Sequence, residues 1–120
     1  MSDTAAILQQ LAKDLRACRG AFTMDYDGLP LDMYPPQGAG PDLEAIGAEM
    51  GGVLRETCQA AQDLGLGAFT AVSIRSDGAT LAFHTWGQDC LLGVVLERTS
   101  SMGAARRLMD DIVQRDLPTA

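Results

Sequence analysis

The sequence predicts a three-layer α/β/α sandwich, an α+β fold in which a mostly antiparallel sheet of five strands lies between helices. Residues 41–63 form a long amphipathic segment with helical periodicity. The pairs Asp27-Gly28 and Asp77-Gly78 each mark a hairpin turn. Cys90–Leu96 is apolar at odd and even positions, which is typical of a central strand covered by helices on both faces.

The first predicted element is an amphipathic helix over about Thr4–Cys18. Gly20 follows the last periodic residue, so we expect it to take the left-handed conformation that ends many helices. The apolar residues that recur at helical spacing are Leu8, Leu11, Ala12 and Leu15.

A β-hairpin is predicted next, with strands at about Gly20–Met24 and Leu29–Tyr34. Asp27 and Gly28 lie in its turn, where glycine supplies a positive φ. Residues 35–40 are rich in proline and glycine and cannot continue the sheet.

The second helix is predicted from Pro41, which suits a first helical position, to about Asp63, before Gly65 or Gly67. Asp42 suits its first turn. One apolar stripe should pack on the sheet: Leu43, Ile46, Met50, Leu54, Thr57, Cys58 and Ala61.

The opposite face of this helix carries more glycine, and less lysine and glutamate, than an ordinary solvated face. An interior glycine costs a helix about 0.5–1 kcal/mol, so Gly47, Gly51 and Gly52 need a packing reason. We expect Gly47 to let the helix approach the sheet, and Gly51 and Gly52 to let another helix approach from outside. The alternative is a helix that merely tolerates glycine. The other residues of this outer face are Ala48, Arg55, Gln59 and Gln62.

The remaining strands are predicted as a meander over Gly67–Ser76, Ala79–Trp86 and Cys90–Leu96. A final helix should begin near Ser101 and end before Pro118. Its cap is expected at Thr99 or Ser100, and its exposed side carries two i, i+4 pairs: Arg106–Asp110 and Arg107–Asp111. The order is therefore α-β-β-α-β-β-β-α, and we expect residues 1–120 to form one domain.

Composition excludes several classes of function. The net charge is −7, and nine basic residues scattered along the chain make no basic stripe, which argues against nucleic acid and anionic membrane as partners. No apolar run approaches the ~20 residues that span a bilayer. Three cysteines without CxxC spacing indicate reduced thiols and a cytoplasmic protein.

No catalytic or cofactor-binding constellation is found in the sequence. A P-loop is missing, and one histidine with three dispersed cysteines does not make a zinc signature. His84 is expected at the surface or an interface, with a general base as the less favoured interpretation. We therefore expect no metal, no cofactor and no enzyme activity.

Three segments, in order, resemble the Roadblock family. The first is residues 21–31, AFTMDYDGLPL, which is similar to the family's hairpin. The second is residues 71–78, AVSIRSDG, after the long helix. The third is LLGVVL at residues 91–96, followed by a polar break and GAARRL at residues 103–108. The resemblance covers nearly all of the chain and implies a profilin-like Roadblock fold.

The resemblance also implies a homodimer in which the second helices pack together and the middle strands pair into one sheet. An uncovered strand with Phe69, Val72 and Ile74 would otherwise be an aggregation hazard. The residues expected in the dimer interface are Ala48, Gly51, Gly52, Gln59, Phe69, Ala71, Ser73 and Arg75.

The family implies a partner as well, since Roadblock proteins generally bind small Ras-like GTPases or scaffold larger complexes. Bacterial members resemble the MglB type, which can speed GTP hydrolysis by such a GTPase. We expect Arg55 and Gln62 to face this partner. Arg55 or Arg75 could be an arginine supplied in trans, although the regulator could instead reposition the GTPase's own groups. The alternatives are a scaffold without effect on GTP turnover and a small-molecule sensor of PAS or profilin-like architecture.

Overall fold

The computed structural model describes residues 3–36, 38–98 and 102–115. Its elements are α1 (Asp3–Asp14), β1 (Cys18–Met24), β2 (Pro30–Tyr34), α2 (Leu43–Asp63), β3 (Ala71–Arg75), β4 (Thr80–Thr85), β5 (Leu91–Leu96) and α3 (Met102–Arg115). The predicted order of helices and strands is confirmed.

The five strands form one antiparallel sheet in the order β2-β1-β5-β4-β3. All six residues of β5 are buried, so the prediction of a central strand covered on both faces is confirmed. Leu92, Val94 and Leu96 lie in the core beneath α1 and α3. Leu91 and Val95 lie in the second core, beneath α2. The three layers follow from this alternation, because each face of the strand needs its own cover.

The core beneath α2 contains two aromatic rings that meet across the central strand. Gly93 of β5 pairs with Phe22 of β1 on one side and with Phe83 of β4 on the other. The ring centroids are 6.0 Å apart and the rings are nearly perpendicular. A Cβ atom on Gly93 would lie 2.7 Å from Phe22 Cζ and 3.1 Å from Phe83 Cε1. Glycine is therefore the residue that this site accommodates.

The first helix is shorter than predicted. It ends at Asp14 rather than near Cys18, and Ala17, with φ of 64°, takes the left-handed conformation expected of Gly20. Gly20 instead lies inside β1, where a Cβ atom would be 3.0 Å from Leu43 Cδ2. Gly20 thus packs closely against the start of α2, and the prediction that it ends the helix is wrong.

The second helix agrees closely with its prediction. Asp42 is its N-cap, one position before the helix, and its side chain accepts a hydrogen bond from Ala45 N at 3.0 Å. The helix ends at Asp63, and Gly65 follows with φ of 73°.

The third strand begins at Ala71 instead of Gly67, which has φ of 82°. The predicted caps at Thr99 or Ser100 lie outside the described residues.

The predicted ion pair between Arg106 and Asp110 is wrong. Asp110 turns toward the sheet, where its Oδ1 lies 3.3 Å from His84 Nε2, and its Oδ2 accepts a hydrogen bond from Gln114. Among the described residues, Arg107 and Asp111 form no ion pair either. A tertiary contact with a buried ring has displaced a contact within the helix.

Candidate interaction surface

The β1–β2 hairpin and α2 touch backbone to backbone. A Cβ atom on Gly51 would lie 2.8 Å from both the N and the Cα of Gly28, and one on Gly28 would lie 2.8 Å from Gly47 O. Gly28 has φ of 85°, as its predicted place in the turn requires. A Cβ atom on Gly47 itself would lie 3.4 Å from Gly28 O, which is an ordinary contact, so, contrary to the expectation, the approach does not depend on glycine at position 47. Gly51 is buried against the hairpin of its own chain, which corrects the expectation that it faces a helix from outside.

Hydrogen bonds fix the hairpin in this position. Asp25 Oδ1 accepts from the amides of Asp27, at 2.9 Å, and Leu29, at 3.1 Å. Arg55 on α2 donates to Tyr26 O at 2.7 Å, and its guanidinium lies 3.5 Å from Asp27 Oδ1. The Arg55 side chain remains 58% exposed. It joins the helix to the hairpin at the surface, a contact across 29 residues that local sequence patterns do not reveal.

The outer face of α2 is open along its length. Gly52 has no atom within 4 Å of the position that a Cβ would occupy. Gln59 Nε2 donates to Asp63 Oδ1 at 2.9 Å and so is held within the helix. Four of the predicted residues are exposed on this face: Ala48, Gly52, Gln59 and Gln62.

On the face of the sheet that packs against α2, the helix covers only part of the strands. The main contacts of α2 are with β1 and β2, at one end of the sheet. At the other end, Val72, Ile74 and Leu81 are only half-buried. Phe69, a predicted interface residue, is also half-buried and packs on the core beneath α2. An apolar strip over β3 and β4 is thus left partly open beside the helix.

Strand β3 is the last strand of the sheet, so one of its edges has no strand beside it within the described part of the chain. Its residues alternate between exposed and half-buried. The three predicted interface residues in this strand are the exposed ones: Ala71, Ser73 and Arg75. They lie on the face opposite α2, because Val72 packs into the core beneath that helix.

Sequence reasoning missed three exposed apolar residues on α2 and in the segment that follows it. Val53 is 49% exposed on α2, and Leu64 and Leu66 are 73% and 75% exposed in the segment that follows it. The two leucines flank Gly65 in a connection that a solvated loop would fill with polar residues. Two leucines in a glycine-containing connection are the sequence signal that indicates an exposed apolar patch here.

His84 is buried, with 8% of its surface exposed, so the expectation of a surface position is wrong. Its Nδ1 lies 2.8 Å from Thr85 O and its Nε2 lies 3.3 Å from Asp110 Oδ1. Both ring nitrogens therefore face acceptors of the protein itself. In this arrangement neither is directed at a hydroxyl group as a general base would be.

The thiols of Cys18 and Cys90 are partly buried. Burial raises the pKa of both, although a hydrogen bond to a backbone carbonyl opposes the shift at each. The pKa of Tyr26 is also raised, first by burial and then by nearby negative groups such as Asp89. Because the thiolate is the nucleophile, these two cysteines are poorly suited to nucleophilic chemistry at neutral pH. Among the described residues, no group of three metal-ligating side chains comes together.

None of the helices in residues 3–36, 38–98 and 102–115 combines the length and hydropathy that crossing a membrane would require.

Comparison with known proteins gives one family and a set of structural neighbours. The model of the Roadblock/LC7 domain matches residues 4–96. A Roadblock/LC7 domain from Streptomyces avermitilis superposes with a TM-score of 0.81 at 20% identity, covering 94% of this chain and 93% of the other. MglB from Myxococcus xanthus superposes with a TM-score of 0.82 at 18% identity, covering 95% and 91%.

A more distant structural neighbour is profilin IA from Acanthamoeba castellanii. It has a TM-score of 0.58 at 12% identity, with 92% of this chain and 93% of the other covered. These three likenesses show the fold and confirm the predicted profilin-like Roadblock architecture. Comparison with curated protein sequences finds no significant match.

Proposed function

Since the chain belongs to the Roadblock/LC7 family, whose model matches residues 4–96, we propose that it is a homodimeric regulator or adaptor of a small Ras-like GTPase. The observation that carries the proposal is the uneven cover of the sheet. The half-buried strip over β3 and β4 and the unpaired edge of β3 lie side by side. A second copy of the chain would cover both at once.

In the proposed dimer, the two β3 strands pair along their open edges. Ten strands then form one sheet, and no flat edge remains at this end to pair with unrelated chains. Phe69, Ala71, Ser73 and Arg75 lie at or beside this seam. We also propose that residues 1–120 act as one domain.

The second helices supply the other part of the proposed interface. Gly52 leaves open space on α2, which would let a partner helix approach closely, between Ala48 and Gln59 along the same face. Val53 adds apolar area, since about half of it is exposed. Gly51 is not part of this interface, because its own hairpin occupies the space beside it.

The GTPase is proposed from the resemblance to MglB-type regulators. Its docking surface would be the paired α2 helices, with Arg55 and Gln62 facing it. Arg55 already donates to Tyr26 O, so we propose that it shapes this surface rather than entering the GTPase's catalytic site. Arg75 lies on the far face of the sheet and is a poorer candidate for a residue supplied in trans.

The dimer is tested by sedimentation equilibrium of the full chain. We expect a dimer, and we expect Gly52→Leu to weaken it by about tenfold or more, because the new side chain would occupy the space between the helices. Arg107→Leu is the control, since Arg107 is exposed on α3, away from the proposed interface. A monomer at high concentration would overturn the proposal.

The partner is tested with a Ras-like GTPase from the same genome. GTP hydrolysis and binding are measured with and without this protein. Faster hydrolysis supports a GTPase-activating regulator, whereas binding without a change in turnover favours the scaffold alternative. A related protein, MglB with a tetrameric arrangement, supports assembly beyond a dimer as part of that alternative. Absence of binding contradicts both.

A further inference from the structure

We propose that a groove between α3 and β3, on the face of the sheet opposite α2, binds an acidic, apolar segment of a partner protein. The floor of the groove contains Ala71, Ser73 and Ala82. Its wall is formed by Met102, Arg106 and Met109 of α3. The proposal goes beyond the GTPase-regulating function, because a single chain forms the groove and the α2 face takes no part in it.

The groove exists because α3 covers β4 and stops short of β3. The main contacts of α3 with the sheet are with β4. Beyond it, the outward side chains of β3 are small, so Ala71 and Ser73 leave a shallow floor instead of filling the space. A floor of small residues beside a helix accommodates the larger side chains of another segment.

The apolar wall is suited to variable contacts. Met109 is 2% exposed and belongs to the core, while Met102 is half-buried at the rim of the groove. Methionine is flexible and polarizable, so it adapts to apolar side chains of different shapes. This favours leucine-like or aromatic anchors in the bound segment.

The charge of the groove is opposite to that of the molecule. Arg106 lines the wall, and Arg75 lies on the same face of β3 as Ala71 and Ser73. Neither arginine forms an ion pair with a described residue. Asp110, one turn after Arg106 on α3, is turned toward His84. In a chain of net charge −7, two free guanidinium groups beside one apolar floor select acidic side chains. Planar guanidinium groups bind carboxylates in bidentate fashion.

The test uses two synthetic peptides on the ¹⁵N-labelled full chain. Both carry leucine at every third or fourth position; one has glutamate between the leucines and the other has lysine. We expect the glutamate peptide to bind at least about tenfold more tightly. Its amide shifts should centre on Ala71, Ser73 and Arg106. Net charge alone would favour the lysine peptide, so this preference reports the groove.

Variants locate the site. Arg106→Glu should weaken binding of the glutamate peptide by about tenfold or more. The adjacent Arg107→Glu, which lies outside the groove, should change it by less than about twofold. The proposal is overturned if the glutamate peptide does not bind at about 1 mM, if Arg106→Glu binds it unchanged, or if vesicles of phosphatidylglycerol bind at these arginines in its place.

The same samples separate this proposal from the dimer. Sedimentation gives the oligomeric state of each variant. This control is needed because Arg106 lines the groove beside Ala71 and Ser73 of the proposed seam, whereas Arg107 lies outside the groove. If the chain is a dimer that does not bind the peptide, only the groove proposal is overturned. If it is a monomer that binds the peptide, only the dimer proposal is overturned.

Discussion

Adjacent glycines of α2 differ in what surrounds them. Gly51 lies against Gly28 of the hairpin, while Gly52 faces open space. The sequence predicts that glycines in this helix have packing reasons, because each one weakens the helix. It does not separate Gly51 from Gly52, since the direction of each residue depends on where the hairpin folds back.

This difference gives the first prediction. Gly51→Ala should lower the free energy of unfolding by about 1–3 kcal/mol, because its methyl group would collide with the backbone of Gly28. Gly52→Ala should raise it by about 0.5–1 kcal/mol through better helix propensity. Urea unfolding of both variants at one protein concentration measures this. Equal stabilities would contradict the close contact between helix and hairpin.

Two other side chains make contacts that spacing along the sequence does not predict. Helical spacing pairs Asp110 with Arg106, whereas in the structure Asp110 contacts His84 of a distant strand. The family resemblance predicts that Arg55 faces a partner, and the structure shows that it also donates a hydrogen bond to Tyr26 O of the hairpin. Local spacing describes neighbours on one helix, and both contacts join different elements.

The helices and strands themselves are well predicted where periodicity is strong. The apolar stripe of α2 and the two-sided apolar pattern of β5 gave the position of each in the sandwich. Boundaries were less accurate at α1 and β3. The strand propensity of Phe69 and Thr70 extends the predicted strand to Gly67, although the backbone pairs with β4 as a strand only from Ala71.

At the element scale, we predict that Gly93→Ala destabilises the central strand. The expected loss is about 1–3 kcal/mol, because the added methyl group would press on two fully buried rings that cannot move aside. Phe22→Leu removes one of these rings. The double variant should therefore be more stable than the sum of the two single effects, by about 0.5–3 kcal/mol in a double-mutant cycle. Strict additivity would refute the contact.

The whole molecule divides into two cores that share one sheet, and the sequence predicts this division. It also predicts which strand edge and helix face are open, through Ala71, Ser73 and Gly52. It does not predict the groove beside α3, because that groove depends on how far α3 reaches across the sheet. Helical spacing also predicts an ion pair for Arg106 that would neutralise its charge.

Stability at alkaline pH is a property of the whole fold. The pKa values of Cys18, Cys90 and Tyr26 are raised in the folded state by burial. Above the ordinary thiol pKa of 9.0, the unfolded chain therefore loses its thiol protons first, which favours unfolding. Below that pH, the stabilisation is fully present.

We therefore predict that the melting temperature falls as the pH is raised past 9.0, under reducing conditions and at fixed protein concentration. Cys18→Ala/Cys90→Ala should show a shallower fall, because only Tyr26 of the three groups remains. An identical pH profile in the double variant would show that the thiols do not contribute.

The pair of rings around Gly93 has a consequence for how the chain finds its alignment. Because β5 is apolar on both sides, sliding it by one residue would still bury hydrophobic groups, so hydrophobicity alone does not penalise the error. The slide would bring Leu92 or Val94 between Phe22 and Phe83, where a full side chain has no room. The absence of a side chain at Gly93 therefore sets the register of β5, because a shift by one residue would cause a steric clash with the two rings.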